Sequence, residues 1–298
     1  MKVFLQWLFI SRQTYTRKNT ENNGEAVYKK ILIPVSRTTN MKNIMEFVNH
    51  YLHEKGKITF LHVTVSKVIP ISPGEWRRAL NAISTTHMLK AEGGMEVYYA
   101  VKNGSSIADG IIEEARSGDY DLILFANSTY RKHLNHLFGN KIDEVIRKSP
   151  VETAVVSYRD DMPMKYDRIL VPTSGYKHAL RAARMAEMLA IKYESEVTVL
   201  YVGSEKDDPK SIINPVGADL KDNNIKHRMI FRTGPVVETI IDEAEKGYDL
   251  MAIGATERQQ PYNFIIGSTA DRLIKKSPCP VLMVKTVNEL DGSSQNGI

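Results

Sequence analysis

The chain has 298 residues, 42% of them hydrophobic and 25% charged, which is the composition of a soluble globular protein with room for two ordinary domains. Its one cysteine, Cys279, excludes an intramolecular disulfide framework and points to a reducing, cytoplasmic compartment. The formal net charge of +5 excludes a basic nucleic-acid face more than it suggests one: residues 1–30 hold six basic against two acidic residues, so the rest of the chain is nearly neutral.

In chain order, residues 1–27 read as an apolar and basic leader. The run from Val3 to Ile10 is apolar, and Arg12, Arg17 and Lys18 follow. It falls short of the roughly 20 apolar residues that a bilayer span needs, and it lacks the small-residue cleavage site of a signal peptide. An apolar stub followed by positive charge has the look of the cytoplasmic end of a transmembrane helix. One expectation is therefore that residues 1–18 touch a membrane surface or a membrane transporter. The other is a frayed terminus, or a short helix packed on the protein.

Residues 28–158 follow as a first unit. Lys30–Val35 is a short β-branched strand. Met41, Ile44, Phe47, Val48 and Tyr51 recur at helical spacing behind a candidate N-cap, Asn40. Ile58–Val65 is a second strand, Glu75–Ala91 a helix stopped by Gly93-Gly94, and Met95–Val101 a third strand. Ile107, Ile111, Ile112 and Ala115 mark a helix stopped by Gly118. Leu122–Ala126 is a buried strand, Ile142, Val145 and Ile146 mark a short helix, and Thr153–Val156 closes the unit.

After a polar linker, Tyr158–Lys165, residues 166–286 repeat the unit. Strands are expected near 168–173, 196–202, 226–232, 249–254 and 280–285, and helices near 177–193, 209–223, 235–247 and 268–277. The sequence itself returns: Ile31-Leu32-Ile33-Pro34 as Ile169-Leu170-Val171-Pro172, Tyr120-Asp121-Leu122 as Tyr248-Asp249-Leu250, and Lys148-Ser149-Pro150 as Lys276-Ser277-Pro278. The offset of 128 to 138 residues is too long for a solenoid repeat, so each copy is a domain. Strands alternating with helices imply parallel strands joined by right-handed crossovers. The expected fold is thus two tandem, doubly wound, five-stranded α/β domains of strand order 3-2-1-4-5, related by a pseudo-twofold axis. Residues 287–298 read as a disordered tail.

Ligands of doubly wound sheets sit beyond the carboxyl ends of the strands at the switch point. There Pro172-Thr173-Ser174-Gly175 should meet Gly254-Ala255-Thr256-Glu257, with Gly267-Ser268-Thr269 opening a helix whose amides and dipole suit a phosphate. The same Ser and Thr also suit a simple cap, which Asp271 would complete.

The spacing Gly254, two residues, Glu257, nine residues, Gly267-Ser268, followed by Lys276-Ser277-Pro278-Cys279-Pro280 and an apolar strand, resembles the nucleotide-binding segment of the universal stress protein family. The resemblance covers residues 30–160 and 166–286. It implies the adenine nucleotide alpha hydrolase-like fold, binding of ATP or another adenine nucleotide (with Mg only where ATP is bound) and pairing of domains through the last strand, within the chain and in a homodimer. Residue by residue it places Gly254, Gly267, Ser268 and Thr269 at the phosphates and ribose. Val202 and Ile253 fall on the adenine pocket, and Thr173 and Ser174 on the rim after the first strand.

Two departures weaken the site. Glu257 stands where the family has its second glycine, and Ser174 where it has an acidic residue. In the first copy the matching positions are Ala126, Thr129, Gly139, Asn140 and Ser36, with Arg131, Lys132, His133 and His136 nearby. The first copy is therefore expected to be structural, or to bind something other than ATP. Gly-Ala-Thr-Glu after the fourth strand also resembles universal-stress domains fused to prokaryotic amino-acid permeases and cation antiporters. This opens a second reading, a ligand-free module regulating such a transporter, beside a third, a weak ATPase.

No motif in the sequence points to an enzyme. His53, His62, His87, His133, His136, His178 and His227 lack metal-ligand spacing. No P-loop, dinucleotide fingerprint or nucleophile elbow occurs. Glu113-Glu114 and Asp242-Glu243 read as solvated helix faces, and Cys279 as a small buried hydrophobe.

Overall fold

The apolar runs that open each copy become inner strands of a sheet covered on both faces. In the computed structural model, residues 28–35, 41–65, 95–128, 140–158, 164–255 and 268–287 are described. The leader, the expected helix 75–91, the basic loop with Arg131, Lys132, His133 and His136, and the tail lie outside them. The first copy runs β1 (Tyr28–Pro34), α1 (Met41–Val48), β2 (Leu52–Thr64), β3 (Glu96–Asn103), α2 (Ile107–Ser117), β4 (Leu122–Ser128), α3 (Asn140–Lys148) and β5 (Glu152–Tyr158). The second runs β6 (Arg168–Pro172), α4 (Lys177–Tyr193), β7 (Glu196–Gly203), α5 (Pro209–Asp222), β8 (His227–Thr233), α6 (Val236–Ala244), β9 (Leu250–Gly254), α7 (Ser268–Lys276) and β10 (Val281–Lys285).

Local chemistry sets the element ends. Ser106 caps α2 by accepting the Asp109 N–H at 3.0 Å. Asp208 caps α5 through the Lys210 N–H at 3.2 Å, with Pro209 at the first helical position. Strand β2 begins six residues earlier than its apolar run suggests. The polar stretch from His53 to Lys57 is held because Tyr28 pairs with Leu52 before the register shifts to Lys30 opposite Lys57.

The strands form one sheet of order β3-β2-β1-β4-β5-β10-β9-β6-β7-β8. Each half has the expected 3-2-1-4-5 order and is parallel within itself. The two five-stranded units expected from the repeat are halves of one sheet, joined without interleaving through their last strands, as the family resemblance implies. Their last strands pair antiparallel, with Ser157 opposite Val281, Val155 opposite Met283 and Thr153 opposite Lys285. Both strands are buried over nearly their whole length around apolar centres, Ala154–Val156 and Val281–Val284, and by pairing each copy covers the edge the other would expose.

Two cores result, one on each side of the sheet. Helices α1, α4 and α5 cover the first, through residues such as Phe47, Leu189 and Val216. Helices α2, α3, α6 and α7 cover the second, through Ile111, Ile146, Ile240 and Leu273. Both cores contain residues of both copies. Side chains of α4 also tie the halves together: Arg181 Nε lies 2.9 Å from both Glu152 carboxylate oxygens, and Arg181 Nη2 donates to the Tyr28 hydroxyl at 3.0 Å. The Tyr51 hydroxyl donates to the Met185 carbonyl at 3.2 Å, and His50 packs edge-on against Tyr166 and Tyr193.

Candidate functional site at the second switch point

The crevice in the second copy follows from where the strands stop pairing. Between β6 and β9 the ladder holds only Ile169 to Leu250 and Leu170 to Met251. Beyond that point β6 stays with β7 through Pro172 and Leu200, while β9 stays with β10 through Gly254 and Val284. The two strands therefore turn to opposite neighbours and leave a gap at their carboxyl ends.

Thr173 is buried at the rim. Its N–H donates to Leu200 O at 2.9 Å, and its Oγ1 accepts the Gly175 N–H at 3.2 Å. Gly175 sits at φ +76°, a conformation that glycine adopts freely, and this turn leaves Ser174 exposed. Val202 and Ile253 are buried and belong to the core that α6 and α7 cover. Helix α7 opens at Ser268 on that same side, with half-buried Thr269 in its first turn. Asp271, expected to complete a cap with Ser268, makes an ion pair with Lys275 at 2.7 Å. Glu257 and Gly267 lie outside the described residues.

Gly254 has a different surrounding. A Cβ there would stand 2.4 Å from Ala179 N and 2.5 Å from His178 C, well inside contact distance. The glycine thus lets the backbone of the first turn of α4 rest on β9. That turn begins at Tyr176 with no side-chain cap, so the helix presents its first amides beside the crevice. His178 in the same turn is buried. Its Nδ1 accepts the Thr286 N–H at 3.1 Å and lies 2.7 Å from Thr286 Oγ1, tying the end of β10 to α4. His178 lacks metal-ligand spacing in the sequence, and nothing in its neighbours signals that Thr286 folds back onto it. The turn at Gly175, by contrast, is written in its Thr-Ser-Gly sequence.

The arrangement thus offers an apolar wall, hydroxyls at the rim and the positive ends of two helices. No three His, Cys, Asp or Glu side chains converge on a metal position among the described residues. Cys279 is buried; burial pushes its thiol pKa up, and its N–H donates to Ser277 Oγ at 3.3 Å.

In the first copy β1 and β4 also part after two pairs, Ile31 with Leu122 and Leu32 with Ile123. However, Ala126 replaces the glycine, and β4 continues alongside β5 to Ser128 opposite Tyr158. Ser36, Thr129 and Gly139 lie outside the described residues, and Asn140 opens α3.

Comparison with known proteins gives the family and the fold. The profile of the Universal stress protein family fits residues 27–157, 165–219 and 213–285. A universal stress protein of Methanocaldococcus jannaschii is 29% identical over 140 residues, 40% of this chain and 82% of that protein. The crystal structure of a universal stress protein from Archaeoglobus fulgidus shares the fold at a TM-score of 0.65 and 19% identity, covering 86% of this chain and 97% of that one. The cytoplasmic domain of a prokaryotic cation chloride cotransporter shares it at 0.56 and 12% identity, covering 88% and 96%.

Proposed function

The chain belongs to the universal stress protein family, and we propose that it is a nucleotide-sensing cytoplasmic regulator that takes an adenine nucleotide weakly, in the second copy alone. The observation that supports this reading is the parting of β6 and β9 beyond Leu170 and Met251, the switch point beyond which doubly wound sheets take their ligands. In this reading Val202 and Ile253 flank the adenine, and Thr173 and Ser174 meet the ribose end. Gly267, Ser268 and Thr269 hold the phosphates at the start of α7, where backbone amides and the helix dipole favour an anion. Magnesium enters only with ATP. Gly254 acts indirectly, by seating α4. Glu257 puts a carboxylate beside the phosphates; at about 5 Å and an effective dielectric near 20, such a pair repels by about 3 kcal/mol, and less where the side chain meets solvent. No general base is assigned, so any ATP turnover is slow.

A thermal-shift screen of the full chain with ATP, AMP, cyclic AMP and cyclic dinucleotides tests the reading. A ligand at ten times its Kd adds about 1.4 kcal/mol, a rise of a few degrees for a protein of this size. No rise with any nucleotide would favour the ligand-free module that regulates a membrane transporter, which the apolar and basic residues 1–18 suggest. No helix among the described residues is long and apolar enough to cross a membrane. The leader is therefore tested by co-sedimentation with anionic vesicles at low salt. The full chain should exceed a version starting at Ala26, and equal binding would remove the membrane role.

A further inference from the structure

At the amino-terminal ends of β1 and β3, away from the nucleotide crevice, the first copy has an open cleft of about 380 Å³. Its charged edge is a cross-strand pair of like charge, Lys30 opposite Lys57. Lys30 Nζ stands 4.7 Å over the Tyr120 ring and donates to the Gly118 carbonyl. Lys57 reaches Glu96 at 3.2 Å. Glu114, also at the cleft, is already engaged: it accepts from the Tyr120 hydroxyl at 3.0 Å and faces Lys102 at 3.7 Å. Glu96 thus meets Lys57, while Lys30 rests on the Tyr120 ring and the Gly118 carbonyl. Thr59 forms the floor, Tyr98 and Tyr99 add aromatic surface, and Tyr98 is 45% exposed with its hydroxyl turned to Glu96.

The second copy builds the same place and fills it from its own chain. Arg168 lies 4.8 Å over the Tyr248 ring, and the Tyr248 hydroxyl donates to Glu243 at 3.0 Å, as Lys30, Tyr120 and Glu114 do. But the strand neighbour of Arg168 is Glu196, whose carboxylate meets Lys226 at 3.0 Å and Arg228 at 2.8 Å. Arg228, in the register position of Tyr98, also comes within 3.5 Å of Thr198 Oγ1, the counterpart of Thr59. The two copies therefore differ at two places: Lys57 stands beside Lys30 where the second copy has Glu196 beside Arg168, and Tyr98, turned to Glu96, stands where the second copy has Arg228.

We propose that this cleft binds a small aromatic carboxylate. Its carboxylate lies at Lys30 and Lys57, as Glu196 lies among the bases of the second copy. Its ring lies among Tyr98, Tyr99 and Tyr120. The volume suits a one-ring ligand, and charge-assisted contacts to lysine with ring stacking supply the affinity.

Saturation-transfer NMR on the full chain, with benzoate as the probe, tests the site. Benzoate should bind in the millimolar range, with benzamide and acetate each about tenfold weaker or more. The double change Lys57→Glu with Glu96→Lys, and separately Tyr98→Arg, import the residues of the second copy at the surface with charges still paired, so melting should stay the same. Each should weaken benzoate about tenfold or more. No benzoate signal at about 10 mM, equal binding of benzamide, or benzoate binding unchanged in both variants would overturn the proposal. If one variant does not fold, the other decides.

Discussion

The two copies share a strand order but use their first helix differently. In the second copy α4 runs for 17 residues, rests its backbone on Gly254 and reaches across the junction to Glu152, Tyr28 and His50. In the first copy α1 has eight residues, and Ala126 stands in the place of that glycine. One glycine thus separates a copy whose switch point is flanked by a close-packed helix from one whose fourth strand continues pairing past it. The lesson is that a family glycine can be kept for packing, with its effect on a ligand passing through the helix it admits.

The largest effect should come from closing that approach. Gly254→Val places side-chain atoms against the backbone of α4 and should cost about 3 kcal/mol in urea unfolding. Ala126→Gly in the first copy should cost at most about 1 kcal/mol, through chain entropy alone. Equal costs would remove the contrast between the copies.

Next comes the junction. Arg181→Ala leaves the Glu152 carboxylate without its guanidinium; the two side chains are 22% and 15% exposed. Loss of one partner from such a pair should cost about 2 kcal/mol, below the range for full burial. Both halves should then melt earlier and together, because both cores cross the junction. Separate melting of one half, followed by tryptophan-free probes in each copy, would show that the cores are independent.

A smaller effect distinguishes the equivalent aspartates Asp143 and Asp271. Burial pushes Asp143 up to about 6, the nearby Asp271 adds to the rise, and Lys275 opposes it. One Asp143 oxygen is buried without a hydrogen-bond partner, whereas Asp271 is paired with Lys275. The folded state thus holds the Asp143 proton more tightly than the unfolded chain, whose value is near 3.8. That stabilisation is complete below about pH 4 and is lost as pH rises through about 6. Asp143→Asn should therefore raise stability at pH 8 by about 1 kcal/mol, after discounting for partial exposure, and should flatten the difference between pH 5 and pH 8. Asp271→Asn should lower stability by no more than about 0.5 kcal/mol. Thermal melts of the three proteins at both pH values decide this.

Much of the architecture was legible in the residues. The paired Ile-Leu-x-Pro strands, the alternation of strands and helices and the doubled Lys-Ser-Pro segment suffice for two copies of order 3-2-1-4-5. Their joining through the last strand followed from the family resemblance alone, because Thr153–Val156 and Val281–Val284 read the same whether a second copy or a helix covers them. The early start of β2 was missed because His53, Lys55 and Lys57 carry no apolar period. Near the switch point, Thr173 directly follows β6, Val202 lies in β7 and Ile253 in β9, the strands on which the sequence pattern set them. The packing role of Gly254 depends on a helix some 75 residues earlier, and no local pattern announces such a contact. The exchange of Lys57 and Glu96 for Glu196 and Lys226 was present in the letters, but only the strand register shows these pairs to be equivalent.

The central claim, a weak nucleotide site confined to the second copy and held back by Glu257, is tested most directly by calorimetric titration of ATP with magnesium into three full-length proteins. The wild type should bind weakly or below detection. Glu257→Gly should bind up to about a hundredfold tighter, the equivalent of about 3 kcal/mol, and Gly267→Val should not bind. Tight binding by the wild type with no gain in Glu257→Gly, or no nucleotide binding by either protein, would contradict the account.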